Sequence, residues 1–130
     1  MVMIQETWLE NSIETVLFEN YTIISRRDHH SIETRGGVII FLRNSIQNNV
    51  SWKDSKDAAR TWVLLHTDIG SIAIANWYRP GNSEDSHIVS LSEELSELKD
   101  EVIGVIIAGD ININHIKWLH FSNLFPFRDL

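Results

Sequence analysis

The run Gly104-Val105-Ile106-Ile107-Ala108 delivers Gly109, Asp110, Ile111 and Asn112 onto its carboxyl end. A stretch this short and β-branched reads as a buried strand, and a carboxylate and an amide two residues apart at its tip mark a polar site. The other end of the chain repeats the design, with Val2-Met3-Ile4 running into Gln5-Glu6-Thr7-Trp8. Any fold that suits this chain must therefore bury strands in a sheet while showing acids at their ends.

Length and composition fit one domain over residues 1–130: 43% of the residues are hydrophobic, and five Trp, five Phe and two Tyr supply a core. The absence of Cys excludes a disulfide framework and a thiolate zinc site, and agrees with an intracellular, reducing compartment. No apolar run approaches the ~20 residues that cross a bilayer, and the amino terminus has no signal-peptide pattern, so no membrane partner is expected. Eleven Lys and Arg against 18 Asp and Glu give a net charge of −7. Such a balance opposes nonspecific binding to a polyanion unless a bound cation reverses the potential locally.

Periodicity places strands over 2–5, 21–25, 38–42 and 105–108, with a hairpin of 60–67 and 71–78 joined through Asp68-Ile69-Gly70. Helical spacing appears over 10–18. It recurs after Pro80-Gly81, where Ser83 is placed to cap a helix whose first turn carries Glu84 and Asp85. In that helix Ile88, Leu91, Leu95 and Leu98 form the apolar stripe, leaving Glu93, Glu94, Glu97, Lys99 and Asp100 on the wet face. Segments 26–35 and 43–49 read as loop and turn. After 111–115 the chain becomes irregular and aromatic. There is no repeat, linker or low-complexity tract.

Strand ends on a rigid scaffold display chemistry. Glu6 is a hard oxygen ligand suited to Mg²⁺, Asp110 can orient and deprotonate a water, Asn112 can bond a phosphoryl oxygen, and Tyr78 can steady developing charge. Taken singly each has a plainer reading: Glu6 as a solvated strand end, Asp110 and Asn112 as turn caps, Tyr78 as core with a wet hydroxyl. His29 and His30 lack a third ligand at zinc spacing and read as exposed, as do His66 and His87. Arg26, Arg27, Arg35, Arg43 and Arg79 could meet phosphates, and Trp8, Trp52 and Trp77 could stack on or wedge into nucleic acid.

Four blocks in order, Ile4-Gln5-Glu6-Thr7-Trp8-Leu9, Gly36-Gly37-Val38-Ile39-Ile40-Phe41, Trp77-Tyr78-Arg79-Pro80 and Gly109-Asp110-Ile111-Asn112, make the sequence resemble the endonuclease/exonuclease/phosphatase superfamily with the DNase I-like fold. The resemblance is closest to the apurinic-type endonuclease domain of non-LTR retrotransposons. It implies an α/β (α+β) fold, a four-layer αββα sandwich of two mixed β-sheets with helices outside, and phosphodiester hydrolysis dependent on Mg²⁺ or Mn²⁺. By motif, Glu6 matches the metal-binding glutamate and Tyr78 the active-site tyrosine. Asp110 matches the aspartate that orients the attacking water, and Asn112 the asparagine that contacts the scissile phosphate. The implied partner is nucleic acid, DNA ahead of RNA, and a retroelement product would work in the nucleus.

Two parts of the family's pattern find no match. One is an Asn-bearing strand ahead of the Gln-Glu strand, and the other is a closing Asp followed by an Asp-His or Ser-Asp-His motif. The expectation is thus a partial, incomplete domain that folds poorly alone, self-associates through unpaired sheet edges and has little nuclease activity. The alternative is a non-catalytic remnant or binding module of the same fold.

Overall fold

A computed structural model describes residues 1–9, 18–28, 36–81 and 84–112. Seven strands and one α-helix follow in the order β1 (Val2–Gln5), β2 (Tyr21–Arg27), β3 (Val38–Arg43), β4 (Val50–Lys53), β5 (Arg60–Thr67), β6 (Gly70–Tyr78), α1 (Ser86–Leu98) and β7 (Gly104–Asp110). They form a three-stranded sheet ordered β1-β3-β2 and a four-stranded sheet ordered β4-β5-β6-β7. All pairs are antiparallel except β6 with β7, which run parallel. Only the second sheet is therefore mixed, where the resemblance implied two.

Alternation along β5 and β6 builds the layers. Val63 and Ile74 meet Ile40 of the first sheet, with Met3, Ile24, Leu65 and Ile72 around them, and this is the core between the sheets. The intervening residues Trp62, Ala73 and Ala75 face the other way and pack under Leu98, Leu91, Leu95 and Ile107. The small alanines at the centre of β6 leave room for the leucines of α1 to pack there. Burying each large apolar side chain contributes about 1.5–3 kcal/mol. The hairpin between β5 and β6 closes with Thr67 opposite Gly70, whose φ of 144° suits glycine, as the sequence implied.

Several boundaries move. Arg26 and Arg27 continue β2 because they pair with Ile39 and Val38, and 44–49 form a 3-10 turn. β4 was not legible: Ser51 and Trp52 are both exposed, so this edge strand carries little hydrophobic pattern. Helix α1 starts at Ser86, so Glu84 and Asp85 precede its first turn; the Ser83 cap and the 10–17 part of the first helical segment lie outside the described residues. The strand at 104–110 is not fully buried. Val105 and Ile106 are 40% and 51% exposed, because β7 pairs only with β6 among the described residues and β1 ends the facing sheet on the same side.

The largest departure is Glu94, expected on the wet face and in fact 1% exposed. Its carboxylate accepts hydrogen bonds from Arg60 Nε at 2.8 Å, Trp62 Nε1 at 2.5 Å, Ser55 Oγ at 2.8 Å and the Lys56 amide at 2.5 Å. Arg60, itself fully buried, lies 4.8 Å over the Trp77 ring and also donates to Ser90. Asp57 joins the cluster, 3.5 Å from Arg60 and 2.8 Å from His87 Nδ1. Burial pushes the Glu94 carboxyl up, but bonds from Arg60, Trp62, Ser55 and Lys56 outweigh it and hold the group below the ordinary carboxylate value.

Glu94→Ala strands the Arg60 guanidinium in the core and should destabilise the fold by about 3–5 kcal/mol in urea titrations. Because the folded-state pKa of Glu94 is depressed, its stabilisation is present above the ordinary carboxylate range and disappears as pH falls through the depressed value. Glu94→Gln should accordingly flatten the acid limb of the stability profile relative to the wild-type chain.

Candidate active site

Parallel pairing of β6 with β7 sets Tyr78 opposite Asp110 in register, one repeat beyond the pair Asn76 and Ala108. Both strands thus end together, and Tyr78 shares the face of Asn76 that looks toward the first sheet. The backbone extends the match: Arg79 N donates to the Asp110 carbonyl at 2.8 Å, and Arg79 Nη1 reaches the Asn112 carbonyl at 3.3 Å.

β1 packs on β6 and β7 from the facing sheet. Its last residue, Gln5, donates from Nε2 to Asn76 Oδ1 at 2.5 Å. Asn76 in turn donates from Nδ2 to the carbonyls of Ile4 and Ile39, at 3.0 and 3.1 Å. This amide is fully buried and spans the two sheets. Its consequence is positional: Glu6, the next residue after Gln5, emerges at the same end of the sandwich as Tyr78 and Asp110. Glu6, Asp110 and Asn112 are exposed there, and Tyr78 is half-buried.

Two of these residues are among the four described non-glycine positions with positive φ. Glu6 and Asn112 have φ of 50° and 44°, in the left-handed region. Asn tolerates it, but for Glu it costs on the order of 1–2 kcal/mol, and such strain concentrates where function requires it. Gly109 has φ 139°, and a Cβ there would stand 2.0 Å from the Trp77 carbonyl oxygen. Only glycine allows β7 to lie against β6 at the point where Asp110 is delivered.

Other expectations change. Trp77 is 1% exposed under Arg60 and is not placed to stack on nucleic acid. Arg79 is 6% exposed and ties the segment after β7 to the end of β6, a role the sequence did not suggest. Arg26 is held by a two-pronged ion pair with buried Asp28. Asn76 was the residue most completely missed, since an amide inside a β-rich run carries no pattern of its own. Both described histidines are engaged elsewhere, His87 with Asp57 on the helix side and His66 with Ser51 and Ser71 near the hairpin end. His29, His30, His115, His120 and Arg35 lie outside the described residues.

Among the described residues no three His, Cys, Asp or Glu side chains cluster as a metal cage. Glu6 and Asp110 offer two hard oxygen donors, which suits Mg²⁺ or Mn²⁺, ions that take one or two carboxylates and complete their shell with water and phosphate. No described helix is long and apolar enough to cross a membrane.

The fold is DNase I-like. Among solved structures the chain is similar to the endonuclease domain of TRAS1, a telomere-specific non-LTR retrotransposon, with a TM-score of 0.52 and 10% identity over 78% of this chain. It spans 45% of that domain's length. No family model matches the sequence, and no curated protein matches it.

Gly109→Ala should break this arrangement locally. The expected result is a loss of stability of more than ~1 kcal/mol, together with faster amide exchange at the β6–β7 pairing than at β5–β6. Uniform exchange across both pairings would show that the close approach at Gly109 does not fasten the end of β7.

Proposed function

We propose that this end of the sandwich is the metal and phosphate half of an endonuclease-type site, acting on the phosphodiester backbone of nucleic acid, DNA ahead of RNA. The observation that carries the reading is the convergence of Glu6, Tyr78 and Asp110 at one end of three strands. The left-handed backbone at Glu6 supports it, because such strain concentrates at functional sites.

In this reading Glu6 would hold the divalent cation, which supplies charge neutralisation at the phosphate. Asp110 orients a water in line with the phosphorus and accepts its proton. Asn112 donates a hydrogen bond from its amide to a non-bridging oxygen, and the Tyr78 hydroxyl donates to an oxygen gaining charge.

A second reading, a site that binds metal and phosphate without appreciable turnover, is favoured by one observation. Neither described histidine lies at the strand tips, so among the described residues Tyr78 is the group there that would protonate the leaving oxygen.

Mn²⁺ titration followed by electron paramagnetic resonance, run beside plasmid nicking in Mg²⁺, separates the two. Glu6→Gln should weaken Mn²⁺ binding at least about tenfold, in line with losing one of few protein ligands. If nicking is present, EDTA should abolish it and Asp110→Ala should lower it about 10²–10⁴-fold. Binding without nicking selects the second reading. Mn²⁺ affinity indifferent to Glu6, or nicking indifferent to Asp110, sinks the site.

A further inference from the structure

We infer that Trp8 is a nucleobase-stacking contact at the edge of this site, reading an unpaired or unstacked base of a DNA strand. The inference rests on the nucleic-acid reading above and adds to it a binding element that the metal and phosphate chemistry does not use.

The observations begin with the backbone. Past the end of β1, Thr7 N donates to the Gly37 carbonyl at 3.4 Å and Trp8 N to the Gly36 carbonyl at 2.9 Å. Four residues across this contact have positive φ: Glu6 at 50°, Trp8 at 54°, Gly36 at 114° and Gly37 at 90°. The packing is tight, since a Cβ on Gly37 would stand 2.4 Å from Thr7 Oγ1 and 3.3 Å from the Arg27 carbonyl. A left-handed conformation is unfavourable for a bulky residue such as Trp. The backbone bond to Gly36 holds this conformation without burying the side chain. Trp8 is 54% exposed.

Position and charge then select the occupant. Trp8 lies two residues beyond Glu6, on the same emerging segment. The chain's charge of −7 gives a polyanion little long-range attraction, so contacts that do not depend on charge gain weight beside the local pull of a bound cation. Stacking of a base on an indole is such a contact, and it is indifferent to sequence because every base has a π-face. Trp52 supplies a control within the molecule. It is 64% exposed on β4, the opposite edge of the second sheet from β7, and nothing ties it to the strand tips.

The test is equilibrium binding of the full chain to a fluorescein-labelled DNA hairpin with unpaired thymines, in EDTA so that cleavage plays no part. Trp8→Ala should weaken binding about 5- to 150-fold, the loss of one stacked base, while Trp8→Phe keeps most of the affinity and Trp52→Ala leaves it unchanged. Circular dichroism should show all three variants folded as the parent is; if Trp8→Ala is not, the near-parental affinity of Trp8→Phe over a Trp8→Leu variant of similar bulk decides the matter. Parent binding with equal affinities for Phe, Leu and Ala at position 8 overturns the stacking role and leaves the phosphodiesterase reading intact. Absence of DNA binding by the parent in both EDTA and Mn²⁺ overturns both.

Discussion

The buried amide of Asn76 is the interaction on which the arrangement of the strand tips depends. A polar side chain inside a sandwich core costs free energy unless each of its groups is paired, and here Oδ1 is taken by Gln5 while Nδ2 serves the Ile4 and Ile39 carbonyls. Hydrophobic contact between sheets is non-directional and would tolerate a slip. Three hydrogen bonds to fixed groups do not. They index β1 and β3 against β6, and through the β6–β7 register they index Glu6 against Asp110.

A second polar centre lies on the other face of the same sheet. Glu94 gathers Arg60, Trp62, Ser55 and the Lys56 amide, and Arg60 covers Trp77, the neighbour of Tyr78 in sequence. Thus the end of β6 is held from both sides, by Asn76 toward the first sheet and by the Arg60–Glu94 pair toward α1. Ion pairs on the outer surface, such as Lys56 with Glu93 and Glu97, are exposed and contribute far less. The rigid centre contrasts with the side where β1 and β7 end their sheets and Val105 and Ile106 stay exposed.

What the sequence made legible was whatever depends on period or on motif. The runs 2–5 and 38–42, the hairpin through Gly70 and the stripe of α1 came from alternation and spacing, and the strand-tip positions of Glu6, Tyr78 and Asp110 from the residues that end apolar runs. What it concealed was polar function inside the core. Glu94 occupies a helix position that pattern assigns to water, and only the convergence of donors from loop 54–59 and β5 shows why it is buried. Asn76 was hidden for the same reason. β4 failed differently: an edge strand exposed on both sides has no alternation to read.

The central claim is that three strand tips, far apart in sequence, form one cation-binding end. Paramagnetic relaxation by Mn²⁺ in two-dimensional NMR spectra of the chain tests it most directly, since broadening falls steeply with distance from the ion. The account requires the amides of Glu6, Tyr78, Asp110 and Asn112 to broaden together at substoichiometric Mn²⁺, while those of Thr67, Asp68, Ile69 and Gly70 at the opposite hairpin stay sharp. Broadening confined to the acidic face of α1, or equal at both ends of the sandwich, would contradict it.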